Sequence, residues 1–292
     1  AYGSMNNLIK YYEVSKELCR KYNFSPKKRL SQNFLVNQRI IDLEVLHAEL
    51  NENDVVLEIG AGMGFLTERL LEKAQKVIAV EIDKRLVNLL KNEFRNNKKL
   101  ELVHADILNM DTTSLKVTKV VSNVPYHIAS PLLFKLTELN FKLAILTFQE
   151  EFAMRLVANP CSNEYGRLSV TSNLYYDIYI LEKVPASAFF PKPKVDSMIV
   201  KLIPHPKLPI QYLNNPLTKE ILIWLFNSKK QKAIKNLKRF IKNSKIFHRK
   251  NHREKFYNML PKFAYLEKKS YCLTLNEIVS FLSEVYEQFL RD

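Results

Sequence analysis

Between residues 50 and 150 the chain repeats one pattern: a short aliphatic, β-branched run, a polar or glycine break, then a longer stretch with apolar residues every three to four positions. The runs at 55–59, 76–81, 100–104, 119–122 and 143–147 read as strands. The stretches at 64–73, 85–96 and 131–139 carry helical spacing. Strands that alternate with helices predict an α/β fold, a parallel sheet with helices on both faces. A short additional helix is predicted over 11–22, ahead of this core.

The pattern changes after residue 203. Pro204, Pro206 and Pro209 fall within seven residues, which suits neither a helix interior nor a strand ladder and predicts a linker. Beyond it Ile221, Leu222, Leu225 and Phe226, and later Ile278, Phe281, Leu282 and Val285, recur at helical spacing. The predicted organisation is an N-terminal extension over 1–24, an α/β domain over 25–205 and a helical domain over 206–292. A chain of 292 residues is long enough for one full core and a second, smaller unit. Ala1 to Ser4, ahead of Met5, read as a cloning remnant, because no charged stretch leads into an apolar one.

Composition adds three constraints. No apolar run approaches the roughly 20 residues that span a bilayer, so a soluble protein with no membrane partner is expected. Cys19, Cys161 and Cys272 are odd in number, far apart and without metal-ligand spacing. Neither a disulfide framework nor a metal site is expected, and a reducing cytoplasm fits, with an organelle interior still open. Finally, 45 Lys and Arg face 30 Asp and Glu, and residues 206–292 alone hold 18 basic against 7 acidic side chains. Eleven of the fifteen net positive charges therefore lie in the predicted helical domain, which favours a polyanionic partner over a merely soluble basic surface.

The chemistry begins at Gly60-Ala-Gly62-Met-Gly64, where a predicted strand turns into a helix. Glycines there allow positive φ and close backbone approach to a ligand, and the helix N-terminus favours a carboxylate. Such a turn also serves dinucleotides or plain tight packing. Glu81 ends the next strand 21 positions after Gly60, where a carboxylate can accept ribose hydroxyls; a solvated strand-end charge is the ordinary alternative. The turn is G-x-G-x-G rather than G-x-G-x-x-G, and the third strand ends at Asp106-Ile107, suited to reading an adenine amine. S-adenosylmethionine, with ribose and adenine but no pyrophosphate, fits this set better than a dinucleotide. Asp83 reads as a helix cap and Met63 as packing.

The fourth strand runs into Asn123-Val124-Pro125-Tyr126 at its carboxyl end, where open α/β sheets bind ligands. An adenine amine is a poor nucleophile because its lone pair is delocalised into the ring. The Asn123 oxygen and a backbone carbonyl of the Val124–Pro125 stretch can accept its hydrogens and aim the lone pair at a methyl donor, while Tyr126 offers a stacking face for an extruded base. Alone, this tetrapeptide reads as a strand ending in a proline turn.

Its company changes that reading. With Lys28-Arg-Leu-Ser-Gln32-Asn33-Phe34-Leu35, Tyr165-Gly-Arg-Leu-Ser-Val170 and Phe189-Phe-Pro-Lys-Pro-Lys-Val-Asp-Ser197, the chain resembles the KsgA/Dim rRNA adenine dimethyltransferases, in motif order over roughly residues 25–202. The resemblance implies a Rossmann-like class I methyltransferase domain with a mostly parallel seven-stranded sheet, plus a small C-terminal α-helical domain. It implies that S-adenosylmethionine is the cofactor, lined by Gln32, Asn33, Leu35, Gly60, Gly62, Glu81, Ile82, Asp106, Ile107 and Asn123. It also implies that Asn123, Pro125, Tyr126 and Phe189 form the reaction site, with Tyr126 and Phe189 sandwiching the adenine. The implied reaction is dimethylation of the N6 amine of two adjacent adenines in the 3′-terminal hairpin loop of small-subunit rRNA, within small-subunit ribosome biogenesis. The expected partners are the small ribosomal subunit and its rRNA, the expected state a monomer. His127 departs from the Asn or Gln that follows the Tyr in relatives and reads as a polar rim residue.

On a helix, Lys232, Lys235, Arg239 and Lys242 form one stripe opposite an apolar seam of Ile234, Leu237 and Ile241, a surface able to follow RNA phosphates. A solvated lysine face is the alternative. Competing readings of the whole chain are an erythromycin-resistance type methylase acting on large-subunit rRNA, a noncatalytic RNA-binding factor on the same fold, and a DNA adenine methylase.

Overall fold

The structure, a computed structural model, describes Tyr2 and residues 10–289. Two compact units emerge: one runs up to Ala153 and adds Ile178–Pro204, the other joins Met154–Asp177 to the residues from His205 onward.

The first unit opens with α1 (Lys10–Lys21), followed by β1 (Phe34–Leu35) and α2 (Gln38–His47). An alternating series comes next: β2 (Val55–Ile59), α3 (Phe65–Lys73), β3 (Lys76–Glu81), α4 (Lys84–Glu93), β4 (Leu100–His104), β5 (Lys119–Asn123), α5 (Ala129–Lys135) and β6 (Leu143–Gln149). Then α6 (Glu150–Leu156) and α7 (Arg167–Tyr175) lead to β7 (Tyr176–Val184), β8 (Phe189–Phe190) and β9 (Ser197–Pro204). Local chemistry sets several boundaries. Asn37 accepts from Ile40 N at 3.2 Å to start α2, and Asp83, as expected, accepts from Arg85 N at 3.0 Å to start α4.

Seven strands form one sheet in the order β4-β3-β2-β5-β6-β9-β7, parallel from β4 to β6, with β9 antiparallel to β6. Val56, Leu57, Val77, Ala79, Val120, Val121 and Ala144 are buried in it, the leucine and each valine contributing about 1.5–3 kcal/mol. From β2 the chain builds outward through β3 to β4, and then returns to place β5 on the other side of β2. The carboxyl ends of β2 and β5 therefore flank the point where strand order reverses, the place where such sheets open a crevice.

The N-terminal segment is integral to this unit. Tyr11 of α1 stacks on Phe65 with centroids 4.5 Å apart, and Lys21 and Tyr22 both bond Glu93. Tyr2, within the segment expected to be a cloning remnant, packs edge-on against Phe65 and Phe94 and donates its hydroxyl to Met63 O at 2.6 Å. The rest of that remnant lies outside the described residues.

The second unit comprises α7, then α8 (Ile210–Leu213), α9 (Pro216–Asn227), α10 (Ala233–Asn243), α11 (Lys250–Met259) and α12 (Leu275–Phe289). Pro216 opens α9 behind the Asn215 cap, and Thr274 with Glu277 forms a reciprocal cap at α12. Phe240, Phe256 and Phe281 meet edge to face in its core. Asn236 is buried there and donates to Leu225 O, Ser228 O and Ser270 Oγ.

Two expectations need correction. The contiguous division at 205 fails because Met154–Asp177 groups with the helical unit; Tyr165 is buried there and donates to Leu273 O at 2.6 Å. Cys161 and Cys272, expected to be unpaired, form a disulfide within that unit. Backbone pairing, with Cys161 N donating to Tyr271 O at 2.7 Å, brings together two residues 111 positions apart, a proximity that spacing along the chain does not reveal.

Candidate active site

The crevice between β2 and β5 is lined by the glycine turn, the ends of β3 to β5, and the β1–β8 pair. Gly60 has φ +73°, and a Cβ there would lie 3.6 Å from Pro125 Cγ, so the turn after β2 touches the turn after β5. Gly62 has φ +59°, and a Cβ would meet Phe34 Cδ1 at 2.9 Å. Its N–H donates to Glu81 Oε2 at 3.0 Å, while Asp83 N donates to Oε1 at 3.0 Å. Glu81 is only 5% exposed. Burial raises its pKa, and backbone donors from Gly62, Asp83 and Ile82 hold that rise down. The carboxylate keeps capacity for a further donor, such as a hydroxyl.

Asp106 follows β4 and accepts from Leu108 N at 3.0 Å and from Asn109 Nδ2 at 2.8 Å. Ile107 is buried behind it and Ile82 is exposed at the rim; all three line the cavity. Across the crevice, Leu35 pairs with Phe189 in antiparallel register, and the Asn33 amide donates to Pro191 O at 2.6 Å. The first and last of the sequence motifs are thus hydrogen-bonded to each other. Gln32 also lines the cavity, yet its amide donates to Asp83 Oδ2 at 2.8 Å and its oxygen accepts from Lys27 N, so it fastens the entering segment to the cap of α4. Hydrogen bonds from Arg85 and Gln32 outweigh the burial that would raise Asp83, and hold its carboxyl near pKa 2.

Asn123 ends β5 on the cavity wall, and its Oδ1 is buried without a hydrogen-bond partner. A buried acceptor with no donor is a costly arrangement, so this atom stands out among the described residues lining the crevice. Tyr126 is 54% exposed and Phe189 9%, and both rings line the same cavity. The Pro125 carbonyl accepts from Ile128 N at 3.1 Å. His127 Nδ1 and Ser31 Oγ are hydrogen-bonded at 2.8 Å on the rim.

Sequence reasoning missed the acids beneath this floor. Glu44 on α2 is 1% exposed and accepts from Thr147 Oγ1 at 2.6 Å; Glu58 on β2 is buried and accepts from Thr67 Oγ1 at 2.7 Å. Burial pushes both carboxyls up to about 8, and at Glu58 the neighbouring Glu44 and Glu81 push further. A signal was present: Glu58 interrupts the apolar run 55–59, and Glu44 falls on the face of α2 that carries Ile40 and Ile41.

In the second unit Lys232, Lys235 and Lys242 are exposed around α10, Lys232 in an ion pair with Glu267 at 2.8 Å. Arg239 departs from the expected stripe: it is half-buried, donates to Asn236 Oδ1, and keeps Nε buried. Lys238 is the exposed cation in its place. The seam also differs, since Ala233, Leu237, Phe240 and Ile241 are buried whereas Ile234 is half-buried.

Comparison with known proteins gives the arrangement a context. A family model described as ribosomal RNA adenine dimethylase matches residues 23–280. A probable ribosomal RNA small subunit methyltransferase A of Pyrococcus furiosus is 38% identical over 93% of this chain and 94% of its own. That of Methanopyrus kandleri is 48% identical over 63% of this chain; the matched stretch there spans 66% of the relative's length. The crystal structure of a dimethyladenosine transferase from Plasmodium falciparum superposes with a TM-score of 0.73 at 31% identity, covering 86% of this chain and 97% of that one. With the family model matching most of the chain, and the glycine turn, the Asn123 turn and the β1–β8 pair converging on one crevice, the chain belongs to the ribosomal RNA adenine dimethylase family.

Proposed function

We propose that this chain is a monomeric, cytoplasmic enzyme that uses S-adenosylmethionine to dimethylate the N6 amine of two adjacent adenines in the 3′-terminal hairpin loop of small-subunit rRNA. Its partners are the small ribosomal subunit and its rRNA, and its place is in small-subunit biogenesis. The observation that carries the reading is the buried Asn123 Oδ1, an acceptor without a donor at the tip of β5, beside a glycine turn that admits close backbone approach.

The residues present fit the cofactor. Glu81 has accepting capacity left for the ribose, Asp106 would take the adenine amine, Ile82 and Ile107 offer apolar faces to the base, and the Gly60 to Gly62 turn borders the space for the amino acid moiety. Gln32, Asn33 and Leu35 complete the wall. When bound, S-adenosylmethionine supplies an electrophilic methyl group on a positively charged sulfur.

The chain's own contribution is positioning. Asn123 Oδ1 and the Val124 carbonyl accept the two amine hydrogens and draw the nitrogen toward tetrahedral geometry, localising a lone pair that the purine ring otherwise delocalises. Pro125 stiffens the turn that presents both acceptors. Tyr126 and Phe189 clamp the base, each stack of this kind worth about 1–3 kcal/mol. Methylation makes the amine acidic enough to release its proton to solvent, so no strong general base is required; orientation and preorganised acceptors carry the rate. The exposed Lys232, Lys235, Lys238 and Lys242 belong to an RNA-facing surface of the helical unit that contacts phosphates and reads no bases, while Arg239, tied to Asn236, braces it from behind.

Incubating isolated small and large subunits with methyl-labelled cofactor, followed by mapping the label in rRNA, tests this function. Label confined to the 3′-terminal hairpin of the small-subunit rRNA is expected. Label in large-subunit rRNA points instead to the erythromycin-resistance type of activity, and label in DNA competitor to a DNA methylase.

A further inference from the structure

Glu44 belongs to no motif, yet it sits one side chain behind the reaction site. It projects from α2 into the core at 1% exposure, where a carboxyl is retained only with partners or a task. Thr147 Oγ1 donates to its Oε1 at 2.6 Å, while its Oε2 is buried with no hydrogen-bond partner, and the neighbouring Asn123 side chain holds its pKa down. Asn123 and Thr147 stand directly opposite each other in the β5–β6 register, and Val124 N donates to Thr147 O at 3.1 Å. Glu44, Thr147 and Asn123 therefore form one buried polar chain under the Asn123-Val124-Pro125 turn.

An amide has two chemically opposite ends, and only one of them suits an acceptor. Facing a carboxyl oxygen, Asn123 must present Nδ2 to it, which leaves Oδ1, the atom without a partner, for the substrate side. We propose that Glu44 is a positioning residue: fastened by Thr147, it accepts from Asn123 Nδ2 and so fixes the amide with Oδ1 directed at the target amine. Ionised or neutral, the carboxyl keeps an oxygen that accepts, so the role does not depend on its charge. The acids facing it from the sheet are Glu58 on β2 and, next to that, Glu81 on β3. This inference rests on the reading of Asn123 given above.

The test measures single-turnover methyl transfer to small subunits together with S-adenosylhomocysteine affinity. Glu44→Leu is expected to slow transfer about ten- to a hundredfold while the dissociation constant stays within about twofold, and Glu44→Gln, which keeps an accepting oxygen, to restore most of the rate. In an Asn123→Ala background, where the amide is gone, Glu44→Leu should cost no further rate. Thr147→Val, which preserves shape, should slow transfer by about threefold or more, and carries the same test if Glu44→Leu does not fold. Undiminished transfer in Glu44→Leu, or in Thr147→Val should the first variant not fold, overturns the positioning role, as does an equal loss with and without Asn123. Full activity of Asn123→Ala alone instead brings down the reading on which this one stands.

Discussion

Replacing Gly62 with Ala strains the turn in two independent ways. The backbone stands at φ +59°, a left-handed conformation that costs an L-residue about 1–2 kcal/mol. The added methyl would then lie 2.9 Å from Phe34 Cδ1 and 3.1 Å from Cε1, on a buried ring whose strand pairs Phe34 with Phe190. Forcing a methyl into such a packed contact costs about 1–3 kcal/mol, so the two effects together predict a loss of about 2–5 kcal/mol. The same residue donates its N–H to Glu81, so displacement of the turn also moves the carboxylate proposed to hold the ribose. Urea unfolding at unchanged m-value reads the stability, and calorimetric titration with S-adenosylhomocysteine reads the affinity, expected to weaken at least about tenfold. Gly166→Ala is the internal control: its φ of −166° is extended backbone, and the nearest atom to a new methyl is Lys229 Nζ at 4.0 Å. That variant should stay within about 0.5 kcal/mol of the parent. Equal midpoints for Gly62→Ala and the parent, or equal losses at both glycines, would refute the reasoning.

Other outcomes follow from the charges. Glu44 and Glu58 have folded pKa values raised to about 8 from 4.5, so the native state holds their protons where the unfolded chain has released them. Their contribution to stability is complete below about pH 4.5 and is lost as pH rises through 8; unfolding free energy measured against pH should fall across that window, and Glu58→Gln should flatten the fall. Asp83, held near 2, works in the opposite direction, its contribution present above 3.8 and lost as pH drops through 2, so Arg85→Ala should weaken the protein selectively above that acid range. Changing Lys235, Lys238 and Lys242 together to Ala should weaken rRNA binding and lower its log–log salt slope by about 2–3, whereas Arg239→Ala should register mainly as lost stability because its guanidinium is tied to Asn236. An unchanged slope in the triple variant would remove α10 from the RNA surface.

The legible part of this molecule was the part governed by local periodicity and local chemistry. Strands at 55–59 and 76–81 show in the sequence because both faces of a central parallel strand are largely apolar, and the Asp83 cap shows because its acceptor sits two residues from its donor. Glycine and Asn-x-Pro-Tyr turns announce themselves through residues that few other backbones need. What stayed hidden depends on contacts between distant residues. The Cys161–Cys272 pair joins residues 111 positions apart beside a backbone bond from Cys161 N to Tyr271 O, and the grouping of Met154–Asp177 with the helices depends on tertiary packing. Spacing places Arg239 in line with Lys235 and Lys242, as for a surface charge; only the fold shows the buried Asn236 to which it is tied. Glu44 and Glu58 were visible as acids in apolar positions, but only the fold puts Thr147 and Thr67 against them.

The central claim is that an acceptor at the tip of β5 makes an unreactive aromatic amine reactive, and Asn123→Ala addresses it most directly. Transfer to small subunits should be measured in a single turnover beside S-adenosylhomocysteine affinity. The account predicts a rate loss of about a hundredfold or more with affinity within about threefold of the parent. Transfer at the parent rate, with the methyl still arriving at adenine N6, would contradict it.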